Sequence, residues 1–173
     1  AKRILGIENP RVALMNVGGE EQKGTSDLKQ AREYLLEVPG LDFVGYIEGR
    51  SLFEGEADVV VTDGIVGNVS IKLAEGLATG LLKKMSKDIA DTDPKLAEAF
   101  KPILKKFFTE YDYHEYGGAP LLGVNGISLI CHGSSEARTI TNAIVRTKQF
   151  SVSDVNQHIV KQLATIEEQV SVA

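Results

Sequence analysis

The chain has 173 residues, 43% hydrophobic and 25% charged, the balance of an ordinary globular protein, so one compact core is expected. Lys plus Arg number 19 against 24 Asp plus Glu, and the resulting formal charge of -5 argues against general nucleic-acid binding. The single cysteine, Cys131, excludes an intrachain disulfide framework and a Cys-rich zinc site and fits a reducing cytoplasm, while no run of about 18 consecutive apolar residues marks a membrane span or an export signal.

The first six residues read as the last turn of a helix closed by Gly6, and with no initiator Met we expect residues upstream. Arg11 to Val17 is an apolar run ending at Gly18-Gly19, the pattern of a buried strand followed by a turn. Thr25, Ser26 and Asp27 offer N-caps to a helix that runs to about Glu37, with Leu28, Ala31, Leu35 and Val38 on one face and Pro39-Gly40 as its stop. Phe43 to Ile47, Asp58 to Thr62 and Ile127 to Cys131 give three more strands, the last making Cys131 a buried strand thiol. Apolar strands alternating with helices predict an α/β fold, a mainly parallel sheet covered by helices on both sides with right-handed crossovers.

A long helical hairpin insertion, about 68–110, separates the third and fourth strands. On its first helix, about Asn68 to Ala90, Val69, Leu73, Leu77 and Leu81 mark one stripe; Ile71, Ala74, Ala78, Leu82, Met85 and Ile89 mark another. One sheet face cannot cover both, so a partner subunit is the natural second surface. After a turn at Asp91 to Pro94, a helix to Glu110 sets Phe100, Leu104, Phe107 and Phe108 against Lys101, Lys105 and Lys106. That pairing suits an anionic bilayer or an acidic protein partner, and equally suits buried packing with a solvated lysine edge. Two more helices, about Ser135 to Phe150 and Ser153 to Val170, close the chain.

Ligands of open parallel sheets bind at the carboxyl ends of the strands, where helix N-termini present N–H groups suited to phosphate. The corresponding loops are Asn16 to Gly24, Glu48-Gly49-Arg50, Asp63 to Asn68 and His132-Gly133-Ser134-Ser135. In the last of these, hydroxyls and N–H groups would hold an anion while the imidazole of His132 orients it or moves a proton; alternatively Ser134 or Ser135 is only an N-cap and His132 a turn residue. Asp63-Gly64 reads either as a catalytic acid or as a turn, and Lys23-Gly24 lacks the spacing of a Walker loop. No Rossmann fingerprint and no metal-ligand spacing is present.

The segment Tyr116-Gly117-Gly118-Ala119-Pro120-Leu121-Leu122-Gly123-Val124-Asn125-Gly126, followed by His132-Gly133-Ser134-Ser135, closely resembles the C-terminal signature of the phosphate acyltransferase (PlsX) family. Arg11 to Gly18 through Lys23-Gly24, and Ala57 to Val69, agree in order. The family's opening Asp-Ala-Met-Gly-Gly-Asp and middle Gly-Asn-Thr-Gly blocks are absent, so the resemblance covers the C-terminal half only. It implies a fold similar to phosphotransacetylases and isocitrate/isopropylmalate-type dehydrogenases, a cytoplasmic homodimer, and attack of inorganic phosphate on the thioester of acyl-acyl carrier protein. It implies no metal or organic cofactor, and an acyl phosphate product that passes to a membrane glycerol-3-phosphate acyltransferase, with peripheral membrane contact. On this resemblance Lys23, Gly24, His132, Gly133, Ser134 and Ser135 contact phosphate or pantetheine, and Asp63, Asn68 and His132 orient groups or transfer protons. Tyr116-Gly117-Gly118 either admits an acyl-pantetheine chain close to the backbone or forms a structural turn. Two other readings stand beside this one: a phosphotransacetylase acting on a coenzyme A thioester, and a non-catalytic dimerisation and membrane-docking fragment.

Overall fold

Strand β1, Arg11–Met15, carries the most deeply buried run among the described residues: Val12, Ala13, Leu14 and Met15 are all buried. A computed structural model describes residues 1–110, 117–133 and 135–170. The chain divides into two compact units, Ala1–Ser70 with Lys161–Ala173, and Ile71–Val160.

In the first unit, helix α1, Lys2–Leu5, ends as expected at Gly6, whose φ of 70° lets its N–H reach the Lys2 carbonyl. β1 is the centre of a three-stranded parallel sheet, between β2, Asp42–Ile47, and β3, Val59–Val61. This position explains its burial on both faces. β2 and β3 depart from that expectation: at the margins of the sheet, they leave Val44 and Val61 exposed. The β1–β2 register skips Val44, and Gly45, at φ 95°, absorbs the extra residue as a bulge. At the amino ends of the strands, Arg11 donates to both carboxylate oxygens of Asp58 at 3.0 and 3.1 Å, and its backbone N–H donates to the same carboxylate at 2.8 Å. The fork of the guanidinium suits this bidentate pairing and ties β1 to β3.

Helix α2, Ser26–Glu37, is capped by Thr25, whose hydroxyl accepts from the Leu28 N–H at 3.3 Å. Leu28, Ala31, Leu35 and Val38 are the half-buried apolar positions, the face that the spacing predicts. The Tyr46 hydroxyl donates to the Leu28 carbonyl at 3.0 Å and so joins β2 to the first turn of α2.

Helix α3 spans Gly64–Thr92 and α4 spans Pro94–Glu110, with Asp93 between them. The predicted hairpin is present, but its first helix starts several residues earlier because Asp63 caps it. None of the residues of α3 is buried. Ala74, Ala78, Leu82 and Ile89 are half-buried, whereas Val69, Leu73, Leu77 and Leu81 are exposed, as are Ile71 and Met85. By length and composition alone α3 is long and apolar enough to cross a membrane. Between the hairpin's helices lies a largely apolar cavity of 400 Å³ lined by Ser86, Ile89, Ala97, Lys101 and Leu104. Among the lysines of α4, Lys101 pairs with Glu98 at 2.7 Å on the solvated side, and Phe100 and Leu104 are half-buried; the side chain of Phe108 lies outside the described residues.

The second unit also corrects the fourth strand. Its regular part is only β5, Leu129–Ile130, and it does not extend the parallel sheet: it pairs antiparallel with β4, Ala119–Pro120. The intervening loop makes this possible, because Gly123 and Gly126, at φ 83° and 155°, let the chain fold back so that Leu121 N–H meets the Ser128 carbonyl at 2.8 Å. Cys131 falls just past the strand, half-buried rather than buried, and its thiol donates to the Gly117 carbonyl at 3.1 Å. Helices α5, Ala137–Ser153, and α6, Val155–Val170, are separated by Asp154 in the left-handed region at φ 53°. Asn156 donates to the Gly126 and Val124 carbonyls, tying the start of α6 to the β4–β5 loop. Beside this tie lies a 260 Å³ cavity lined by Leu122, Asn125, Phe150 and Asp154 among others.

Candidate functional site

In the first unit the candidate residues stand at the carboxyl ends of the parallel strands, where the topology predicts a ligand site. The predicted strand Arg11–Val17 stops at Met15, because Asn16 turns its side chain to the loop that follows. Asn16 is only 6% exposed. Its Oδ1 accepts from the Val17 N–H at 2.8 Å and its Nδ2 donates to the Lys23 carbonyl at 3.1 Å, so one side chain holds both ends of the loop. Gly24 has φ 93°, and a Cβ there would meet Asn16 Oδ1 at 2.5 Å. Glycine is required at that position by conformation and by space.

The Lys23 side chain lies across Gly18, where a Cβ would meet its Cδ at 2.4 Å, and its ammonium lies 2.8 Å from Glu20. The hydrogen bond from Lys23 holds the Glu20 carboxyl below its ordinary range. Glu21 pairs with Arg32 of α2, whose guanidinium stacks over the Tyr46 ring, 6.0 Å from its centroid. The loop is therefore framed by α2 and β2, while the Lys23 head stays on a solvent-facing ion pair that another anion can replace. At the end of β2, Glu48 and Arg50 pair at 3.2 Å over a 3-10 turn, Gly49–Phe53.

Asp63 follows β3, and its Oδ1 accepts from both the Ile65 and Val66 N–H groups at 2.9 Å. It is the N-cap side chain of α3, which accounts for the Asp-Gly turn. Asn68 is exposed in the second turn of the same helix.

In the second unit the predicted loop His132 to Ser135 does join β5 to α5. The helix cap is Glu136, which makes no side-chain capping bond, and not Ser135. The Ser135 N–H donates to the His132 carbonyl at 3.0 Å, closing a turn through Gly133, and the Ser135 hydroxyl is buried without a hydrogen-bond partner. His132 and Gly133 are exposed. Gly117 is buried at φ 77°, with room for no side chain because a Cβ would lie 2.4 Å from the Ala143 backbone nitrogen; a Cβ on Gly118 would lie 2.9 Å from the Ile130 carbonyl. Packing of backbone against α5 and β5 thus explains both glycines. Tyr116 and Ser134 lie outside the described residues. Among the described residues no group of three or more His, Cys, Asp or Glu side chains is arranged to hold a metal ion.

The residue of this loop that sequence reading left without a role is Asn16, which holds both ends of it. Its signal was faint: a polar residue closing an apolar strand, ahead of a Gly-rich loop.

A family model described as fatty acid synthesis protein matches residues 1–158. The chain is 48% identical over 172 residues to a protein named phosphate acyltransferase from Pelotomaculum thermopropionicum, covering 96% of this chain and 49% of that one. It is 41% identical over 170 residues to the phosphate acyltransferase of Nitratidesulfovibrio vulgaris, with 97% and 49% covered, and 41% identical over 167 residues to that of Geobacter sulfurreducens, with 95% and 48% covered. The chain belongs to the fatty acid synthesis protein family, and it spans about half the length of the curated relatives it matches.

Proposed function

We propose that this chain is the C-terminal half of a phosphate acyltransferase, which forms acyl phosphate from inorganic phosphate and acyl-acyl carrier protein in fatty acid and phospholipid metabolism. The observation that carries the reading is the Lys23-Gly24 loop at the carboxyl end of the central parallel strand, in a chain 48% identical to a phosphate acyltransferase. The parallel three-stranded sheet supports a phosphotransacetylase-like and isocitrate/isopropylmalate dehydrogenase-like architecture for the whole protein.

The chemistry asks for positioning more than for covalent catalysis. A phosphate oxygen attacks the thioester carbonyl, the carbon–oxygen bond forms, and an oxyanion develops. The carbon–sulfur bond then breaks, and the carrier's pantetheine thiolate leaves and takes up a proton. Lys23 and the loop N–H groups suit phosphate, which would displace Glu20 from the ammonium. Asp63 and Asn68 are assigned to orientation, Asp63 through the start of α3. His132 is assigned to proton transfer to the leaving thiolate, and Gly133, Ser134 and the unpartnered Ser135 hydroxyl to holding phosphate or pantetheine. Tyr116, Gly117 and Gly118 are assigned to the acyl-pantetheine chain, with Gly118 packed beside Ile130 and Cys131 and both glycines kept small by packing.

The exposed stripe Val69, Leu73, Leu77 and Leu81 supports a homodimer joined through α3. A spanning role suits α3 less well: it carries the Lys72–Glu75 ion pair at 3.0 Å, and its first turn is capped by Asp63 directly after β3. With its exposed Ile103 and its lysines, α4 supports reversible contact with an anionic membrane, where a glycerol-3-phosphate acyltransferase would receive the product. Cytoplasmic location with peripheral membrane association follows from this reading. The test is hydroxylamine trapping of acyl phosphate by the full-length protein carrying this segment, offered acyl-carrier-protein or coenzyme A thioesters with phosphate. Product from the carrier-protein thioester supports the proposal; product from the coenzyme A thioester alone assigns a phosphotransacetylase instead, and no product from either overturns both.

A further inference from the structure

The loop that presents Lys23 is built around a side chain that does not itself reach its surface. Asn16 stands at the carboxyl end of the central strand with its backbone N–H still in the sheet, donating to the Ile47 carbonyl at 2.9 Å. Its buried carboxamide is fully directional: the oxygen takes the Val17 N–H, where the chain leaves the strand, and the nitrogen takes the Lys23 carbonyl, where the chain returns toward α2. The next residue but one, Thr25, caps α2. A donor at one end and an acceptor at the other are both needed, and only an amide side chain of this length supplies them.

We propose that Asn16 is a positioning residue for anion binding, acting through the backbone of Lys23 and Gly24. With the Lys23 carbonyl pinned, the root of the Lys23 side chain is set before an anion arrives, and only the ammonium has to move, from Glu20 to the incoming phosphate. The close approach of Gly24 to Asn16 Oδ1 completes the clamp, since any side chain there would push the amide out of its two bonds. This inference rests on the phosphate role of Lys23 proposed above and goes beyond it in assigning the residue that makes the loop competent.

Asn16→Asp separates the two bonds. The carboxylate still accepts from Val17, but it faces the Lys23 carbonyl with an acceptor and releases that end of the loop. In the full-length protein, the expected result is a rise of about tenfold in KM for phosphate, a scale set by losing one buried hydrogen bond. The KM for the acyl thioester should stay unchanged. Asn16→Ser, which keeps one hydroxyl of both donor and acceptor character, should fold and show a smaller shift in the same direction.

A double-mutant cycle with Lys23→Ala locates the effect. Strong coupling, with the double variant no worse for phosphate than Lys23→Ala, supports the proposal. If Lys23→Ala raises the phosphate KM while Asn16→Asp and Asn16→Ser do not, or if the effects simply add, the positioning role is refuted and the phosphate loop stands. If Lys23→Ala leaves the phosphate KM unchanged, the phosphate reading of the loop fails, and this inference fails with it. Equal loss for both substrates, tracking a fall in melting temperature, identifies Asn16 as a structural residue only.

Discussion

Asp63 is the residue at which a catalytic and a structural account can be separated most cleanly, because Asn and Ala remove different parts of what it does. Its Oδ1 takes two N–H groups of the first turn of α3 at 2.9 Å, and its charge lies at the positive end of a long helix. Loss of a cap costs about 0.5–2 kcal/mol, and loss of a charge at a helix N-terminus about 0.3–1 kcal/mol. Asp63→Ala loses both and should destabilise by roughly 1–3 kcal/mol. Asp63→Asn keeps a capping oxygen and loses only the charge, so it should cost less than about 1 kcal/mol. Urea titration of the full-length protein and both variants, read as midpoint shifts at constant slope, gives the two values. Turnover of the same samples shows whether the charge is used: an orienting or proton-transferring carboxylate predicts a drop of about tenfold or more in Asp63→Asn. Equal destabilisation by Asn and Ala refutes the cap. Full turnover in Asp63→Asn refutes the charge-dependent role and leaves Asp63 as a cap alone.

The Arg11–Asp58 pair carries a pH signature. The hydrogen bond from Arg11 holds the Asp58 carboxyl below its ordinary 3.8, so its stabilisation is complete above that unfolded value and is lost as pH falls through the lower folded one. Asp58→Asn should therefore melt below wild type at pH 7, with the gap closing in the acid range; a gap independent of pH contradicts the pair. On α3, Leu73→Glu with Leu77→Glu places charge in the exposed stripe and should convert a dimer to a folded monomer by analytical ultracentrifugation, with helical content unchanged by circular dichroism. An unchanged dimer removes this face from the interface, and loss of helical content in the variant shows it to be covered within the chain's own protein.

Local signals carried most of the first unit. Thr25 as cap and Leu28, Ala31, Leu35 and Val38 as the inward face of α2 were legible because capping and helical spacing are nearest-neighbour physics. β1 was legible from its apolar run. Its termination at Asn16 was not, since the bond that stops it reaches Lys23, and closure of a loop leaves no periodic trace. The early start of α3 was masked by Gly64 and Gly67, which read as a turn until Asp63 is seen to cap them. Ile127 to Cys131 looked like one more parallel strand because a short apolar run does not name its partner; the antiparallel pairing with Ala119–Pro120 depends on left-handed glycines in the loop. The site residues were legible as candidates from their post-strand positions. Only the structure separates the packing glycines, Gly117 and Gly118, from Gly24, which faces the buried Asn16 amide in the loop that carries Lys23.

The most direct measurement is acyl phosphate formation from acyl-carrier-protein thioester and inorganic phosphate, comparing this chain alone, the other half of the full-length protein alone, and the two together. We expect little or no product from either piece, because the chain spans about half the length of its phosphate acyltransferase relatives, and phosphate-dependent product when both are present. No product from the two together, under conditions where the intact full-length protein also gives none, contradicts the assignment as a phosphate acyltransferase; robust product from this chain alone contradicts the claim that it supplies only half of the site.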